Sequence, residues 1–138
     1  MKKRVILVII AVCCLLAGAA CSNKEEQKAL VPTTLAKEYP GDILKVDQIT
    51  LQDGSTGAKV IVDRQDEIRS FLNSIKDDVL QPDPNQEQRT GFMYRMMLYE
   101  KGELKLDIIP NSIRNVYYLQ NEDLRRDLSA FFEKKFRN

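Results

Sequence analysis

FMYRMMLYEKGELKLDII, residues 92–109, decides how this chain folds. Leu104, Leu106 and Ile108 alternate with Lys105 and Asp107, the period-2 pattern of a strand with one face buried. Phe92–Glu100 reads as the neighbouring strand, and Lys101-Gly102 between them is a two-residue turn. A hairpin makes the sheet antiparallel here. It also sorts the first strand: Tyr94 and Met96 share one face, Arg95 and Tyr99 the other.

The same reading extends in both directions. Ile43–Leu51 and Ala58–Val62 form a second hairpin around the turn cluster Asp53-Gly54-Ser55-Thr56-Gly57, whose glycines accept positive φ. The apolar register shifts between Val46 and Ile49, which places a bulge near Asp47-Gln48. Ile68, Phe71, Leu72 and Ile75 then recur at helical spacing, with Asp63 as N-cap and Asp66 and Glu67 in the first turn. The polar stretch Gln81–Gly91, with Pro82 and Pro84, is a long loop and the first place to seek a binding surface. Pro110-Asn111 precedes a last strand, Ile113–Leu119. Asn121 caps a final helix whose stripe is Leu124, Leu128, Phe131, Phe132 and Phe136. The order β-β-α-β-β-β-α predicts an α+β fold: a single two-layer domain over residues 43–138, with a mainly antiparallel five-stranded sheet and two helices on one face.

The N-terminus carries a different message. Met1-Lys2-Lys3-Arg4 is basic, and Val5 to Ala20 runs sixteen residues without a charge, short of the ~20 that a bilayer span needs. It ends in small residues, Ala17-Gly18-Ala19-Ala20, directly before Cys21, the pattern of a secretory signal peptide. Ala17 to Cys21 resembles a bacterial lipobox, in which a Cys receives diacylglycerol and becomes the first residue after cleavage. The position usually held by Leu is Gly18 here. The resemblance implies a lipoprotein signal peptide over 1–20 and a lipidated Cys21. It places the protein at the cell membrane, lipid-anchored on the extracytoplasmic face. An uncleaved anchor helix and an ordinary secreted protein are the alternatives, and both put the domain outside the cytoplasm. Cys13 and Cys14 sit within the apolar run as small hydrophobes.

Residues 21–42, polar and interrupted by Pro32 and Pro40, read as a flexible tether. Such a coil reaches roughly 25 Å on average and ~70 Å fully extended.

Composition narrows the chemistry. The chain has 138 residues, no His and no Trp, and all three Cys lie in the first 21 positions. That removes Ser-His-Asp and Cys-His catalysis and every His-ligated metal site. Without Lys2, Lys3 and Arg4 the 21 basic residues fall to 18 against 20 acidic ones, a formal charge of −2. This argues against nucleic acid, whose binders concentrate positive charge. Asp53 to Gly57 lacks the further carboxylates of a calcium loop. Met93 and Met97 share a strand face about 13 Å apart, too far to chelate one soft metal, and read as core packing. No cofactor or metal is expected. Tyr94, Tyr99, Tyr117 and Tyr118 with Arg95 and Arg114 offer an aromatic surface. Arg95 and Tyr99, on the face opposite Tyr94 and Met96, are the candidate surface for a partner.

Gly54-Ser55-Thr56-Gly57, Asp63 to Leu72, Gly91-Phe92-Met93-Tyr94 and Asn115 to Tyr118 together resemble small lipoproteins of Bacillus-type Gram-positive bacteria that carry a YhfM-like domain. The resemblance covers most of the chain after residue 42 and implies a membrane-anchored extracellular domain, with no residue-level role. The expected function is a non-catalytic binding or regulatory module at the cell envelope, with an envelope protein or cell-wall glycan as partner. Its competitors are an enzyme working with carboxylates alone on cell-wall or secreted substrates, and an accessory subunit of an envelope complex.

Overall fold

The computed structural model describes residues 30–137. The expected signal peptide, Cys21 and the tether up to Ala29 lie outside the described residues.

The hairpin that anchors the reading forms as expected. Strands β5 (Tyr94–Glu100) and β6 (Glu103–Ile109) turn at Lys101 and Gly102, with φ of 53° and 78°. Two positive φ values in succession match the right-handed twist of the flanking strands. A bulge falls between Leu98 and Tyr99: Leu98 faces Leu106 and Tyr99 faces Leu104, leaving Lys105 as the extra residue. The irregularity expected at Asp47-Gln48 is thus in the central hairpin instead. Strands β2 (Gln48–Asp53) and β3 (Lys59–Val62) form the second hairpin, and β2 also pairs with β5. Ile43–Lys45, expected as strand, is a 3-10 turn capped by the Asp42 carboxylate, which accepts from Leu44 N at 3.0 Å.

The last expected strand is two. Strands β7 (Ser112–Ile113) and β8 (Val116–Tyr117) reverse at Arg114 and Asn115, whose φ values are 50° and 64°. The sheet therefore has six strands rather than five, in the order β3-β2-β5-β6-β7-β8, and every pairing is antiparallel.

Two helices supply the other layer. In α2 (Gln65–Ile75), Ile68, Phe71, Leu72 and Ile75 are buried. Its N-cap is Arg64, with no side-chain bond, so the expected cap at Asp63 is one residue early. In α3 (Glu122–Phe136), the Asn121 side chain accepts from Leu124 N at 3.0 Å, as its sequence foretells. The helices meet through Phe71 and Phe131, stacked with centroids 3.8 Å apart and planes within 6°. Glu67 spans them too, accepting from Lys134 and Lys135 at 3.2 and 2.5 Å. Ile49, Leu51, Met96, Leu98, Leu106 and Ile108 join both apolar stripes in one buried cluster.

Residues 33–42, expected as part of the tether, belong to the fold. Thr33–Thr34 (β1) pairs antiparallel with Val79–Leu80 (β4) in a small second sheet, and Leu35–Glu38 (α1) follows. Leu35 is 0% exposed and Tyr39 3%, both in the main cluster. The Tyr39 hydroxyl donates to Glu100 Oε2 at 3.0 Å, and burial first, then Glu100, push its pKa upward.

Candidate functional site

The face of the sheet opposite the helices is built from the alternate residues of β2, β5 and β6. Thr50 sits between Ile61 and Met97, and Met97 faces Asp107 across the next pair. Gln52 lies between Lys59 and Arg95, while Tyr99 lies between Gln48 and Leu104. Arg95 and Tyr99 are thus brought to one face, half-buried, and neither joins the core cluster.

Arg95 is held firmly. Its Nε donates to both oxygens of Asp107, at 2.9 and 3.1 Å, and its Nη2 donates to Oδ2 as well. The forked pairing with Asp107 raises the Arg95 pKa and fixes the guanidinium to its cross-strand neighbour. Each side chain remains about one-third exposed, at 36% and 34%. The Arg95 guanidinium carbon also lies 6.0 Å from the centroid of the Phe92 ring. Tyr99 leans over Met97, its hydroxyl 3.9 Å from Sδ, which leaves Met97 only 6% exposed without a helix above it. Arg95 therefore offers its remaining N–H groups in a fixed orientation, beside an aromatic ring and a thioether.

Between the sheet and α3 the structure adds a feature that sequence reasoning missed. A half-open groove of about 530 Å³ runs between Phe92, Met93, Tyr94 and Pro110 on one side and Arg125 and Glu133 of α3 on the other. Tyr94 is fixed by Phe132, with centroids 4.4 Å apart, and Arg125 by Glu122, at 2.7 and 3.0 Å. Met93, expected in the core, is 72% exposed here. A groove of this size with an apolar wall facing a polar one has the character of a ligand cleft. Among the described residues, Glu133 is the one carboxylate lining it. The one sequence signal was the run of aromatic and methionine residues after Gly91, which also fits a buried strand.

Two other expectations resolve into structure. The loop Gln81–Gly91 is bound down against β8: Gln86 bonds both backbone groups of Tyr117, and Arg89 pairs with Asp83 at 2.6 Å while lying 4.8 Å over the Tyr117 ring. The Asp53 carboxylate is spent on its own turn, accepting from Ser55 N and Oγ at 2.8 and 2.6 Å and from Thr56 N at 2.8 Å. These bonds, the Ser55 hydroxyl first, lower its pKa to about 2. Among the described residues no group of three or more Asp, Glu or Cys side chains comes together to hold a metal. No protein-family model, curated protein or solved structure matches this chain.

Proposed function

We propose that this chain is a membrane-anchored extracytoplasmic lipoprotein whose α+β domain is a non-catalytic binding or regulatory module. The observation that carries the binding reading is the groove between Tyr94 and α3, whose Phe92 ring also lies 6.0 Å from the Arg95 guanidinium carbon. An aromatic wall opposite arginine, glutamate and side-chain amides suits a partner with both flat apolar and hydrogen-bonding surface, an envelope protein or a cell-wall glycan. Glycoside hydrolysis commonly uses two opposed carboxylates, and among the described residues this groove is lined by one, which favours binding over the enzymatic alternative. The anchoring reading rests on Ala17 to Cys21 and on the likeness to the YhfM-like lipoproteins.

The two halves are tested separately. Cells expressing the chain are fed an alkyne palmitate analogue: label that vanishes in Cys21→Ser supports the anchor, and label independent of Cys21 removes it. A photo-crosslinking amino acid at Met93, with one at exposed Lys45 as control, is irradiated in intact cells. Adducts specific to position 93 and lost on Arg95→Ala and Tyr94→Ala support the site. A protein adduct and retention on purified cell-wall glycan separate the two partner classes. Equal adducts at both positions would sink it.

A further inference from the structure

The six-stranded sheet treats its two edges differently. At β8 the edge is closed. Pro82 bridges Tyr118 antiparallel, Leu119 N–H donates to the Gln81 carbonyl at 2.8 Å, and Gln86 donates Nε2–H to the Tyr117 carbonyl and accepts from its N–H, both at 2.9 Å. Asp83 N–H adds a further bond to the same Tyr117 carbonyl at 2.9 Å. At the other end, among the described residues, β3 has a strand on one side only.

The ladder shows which backbone groups β3 leaves outward. Asp53 N–H donates to the Ala58 carbonyl at 2.9 Å, and antiparallel pairs alternate between bonded and non-bonded. Val60 and Val62 therefore bond to β2, while the N–H and C=O of Lys59 and Ile61 point away from it. Ile61, between them, is 62% exposed. A β-branched side chain on an uncovered edge invites strand addition.

The residues of the edge specify the occupant. Lys59-Val60-Ile61-Val62-Asp63 is apolar between opposite charges, and among the described residues neither Lys59 nor Asp63 forms an ion pair. We propose that β3 pairs antiparallel with β3 of a second copy of this chain about a twofold axis at Ile61. In that register Ile61 faces the partner's Ile61, and Lys59 faces the partner's Asp63 twice over by symmetry. The Asp63 carbonyl takes the Gln65 amide at 3.2 Å and keeps its second lone pair for the new ladder. Parallel pairing would set lysine beside lysine, and a one-residue slip would turn every side chain to the wrong face. The pairing would join the two open faces and bring Arg95 and Tyr99 of both copies onto one surface. A short edge buries less than the roughly 1,000 Å² of a stable interface, so the dimer is weak and concentration-dependent.

The test uses the full chain in detergent, with sedimentation equilibrium for association and oxidative crosslinking for register. Paired bonded residues lie with Cα atoms ~5.5 Å apart, within disulfide reach. Ile61→Cys should form a disulfide dimer above the background set by Cys13, Cys14 and Cys21 in the parent, and Val60→Cys should not. Lys59→Glu and Asp63→Lys should each weaken association about tenfold, and the two together should restore it. All positions changed in the charge test are exposed, so circular dichroism should stay unaltered. A parent chain monomeric to millimolar concentration, crosslinking of Val60→Cys equal to that of Ile61→Cys, or a double reversal as weak as the singles would each overturn the proposal.

Discussion

Gly54 shows how much of the second hairpin rests on one missing methyl group. A Cβ built there would lie 1.7 Å from the Phe92 carbonyl oxygen, because Gly54 N–H donates to Met93 O at 2.9 Å and draws the strands together. Gly57 serves the other purpose, a φ of 74° in the turn, so the two glycines of one motif answer to different constraints. Gly54→Ala should destabilise the domain by about 2–3 kcal/mol in urea unfolding, and it should loosen the Phe92 wall of the groove. Asp78 presents the opposite case. Its Oδ2 is buried with no hydrogen-bond partner, and burial, with Asp127 and Asp123 nearby, raises its pKa. The folded state thus holds this proton more tightly than the unfolded state, and stability falls as pH climbs from the ordinary carboxylate range through the raised value. Asp78→Asn should leave the thermal midpoint unchanged at pH 3 and raise it at pH 7, by about 4 °C for ~1 kcal/mol.

At the scale of elements, the turn at Arg114 and Asn115 decides the strand count. Both residues occupy the left-handed region, which costs an ordinary side chain roughly 1 kcal/mol. Arg114→Gly should therefore raise stability by about 0.5–1 kcal/mol, read from the urea midpoint at constant slope. The same turn explains where the sequence stopped being legible. Leu104 to Ile108 alternates long enough to declare a strand, and Ile68 to Ile75 long enough to declare a helix. Ser112–Ile113 and Val116–Tyr117 have no length in which a period can show, and Arg-Asn carries none of the glycine that marks a hairpin turn. Arg95 and Tyr99 were legible as a surface because a two-layer fold leaves one sheet face uncovered. The groove was not, since Met93, Pro110 and Glu133 meet only in the folded chain.

For the whole molecule, the boundary between tether and domain carries the largest consequence. Leu35 and Tyr39 are one helical turn apart, too short a pattern to separate from a polar linker, yet both are buried in the core and β1 completes a sheet with β4. Removing residues up to Asp42 should cost at least ~3 kcal/mol in urea unfolding, the scale of deleting one large core side chain. If Cys21 is the anchor, eleven residues rather than 21 separate it from Thr33, and the full extension falls to ~40 Å. The domain then stands close against its membrane.

The Gln81–Asp83 backbone and Gln86 together set a limit on growth. A sheet with one bare margin can join once, and the union is finished, because neither copy has anything left to add. A sheet with two bare margins has no such stopping rule, and each addition exposes the next site, the arithmetic of a filament. Gln86→Ala frees the backbone amide of Tyr117. The Gln81–Asp83 backbone still covers that edge, through Asp83 N–H on the Tyr117 carbonyl and Leu119 N–H on the Gln81 carbonyl, so Gln86→Ala solutions should stay as clear of light scattering as the parent. Three residues of backbone, with a glutamine beside them, are then the difference between a pair and a polymer.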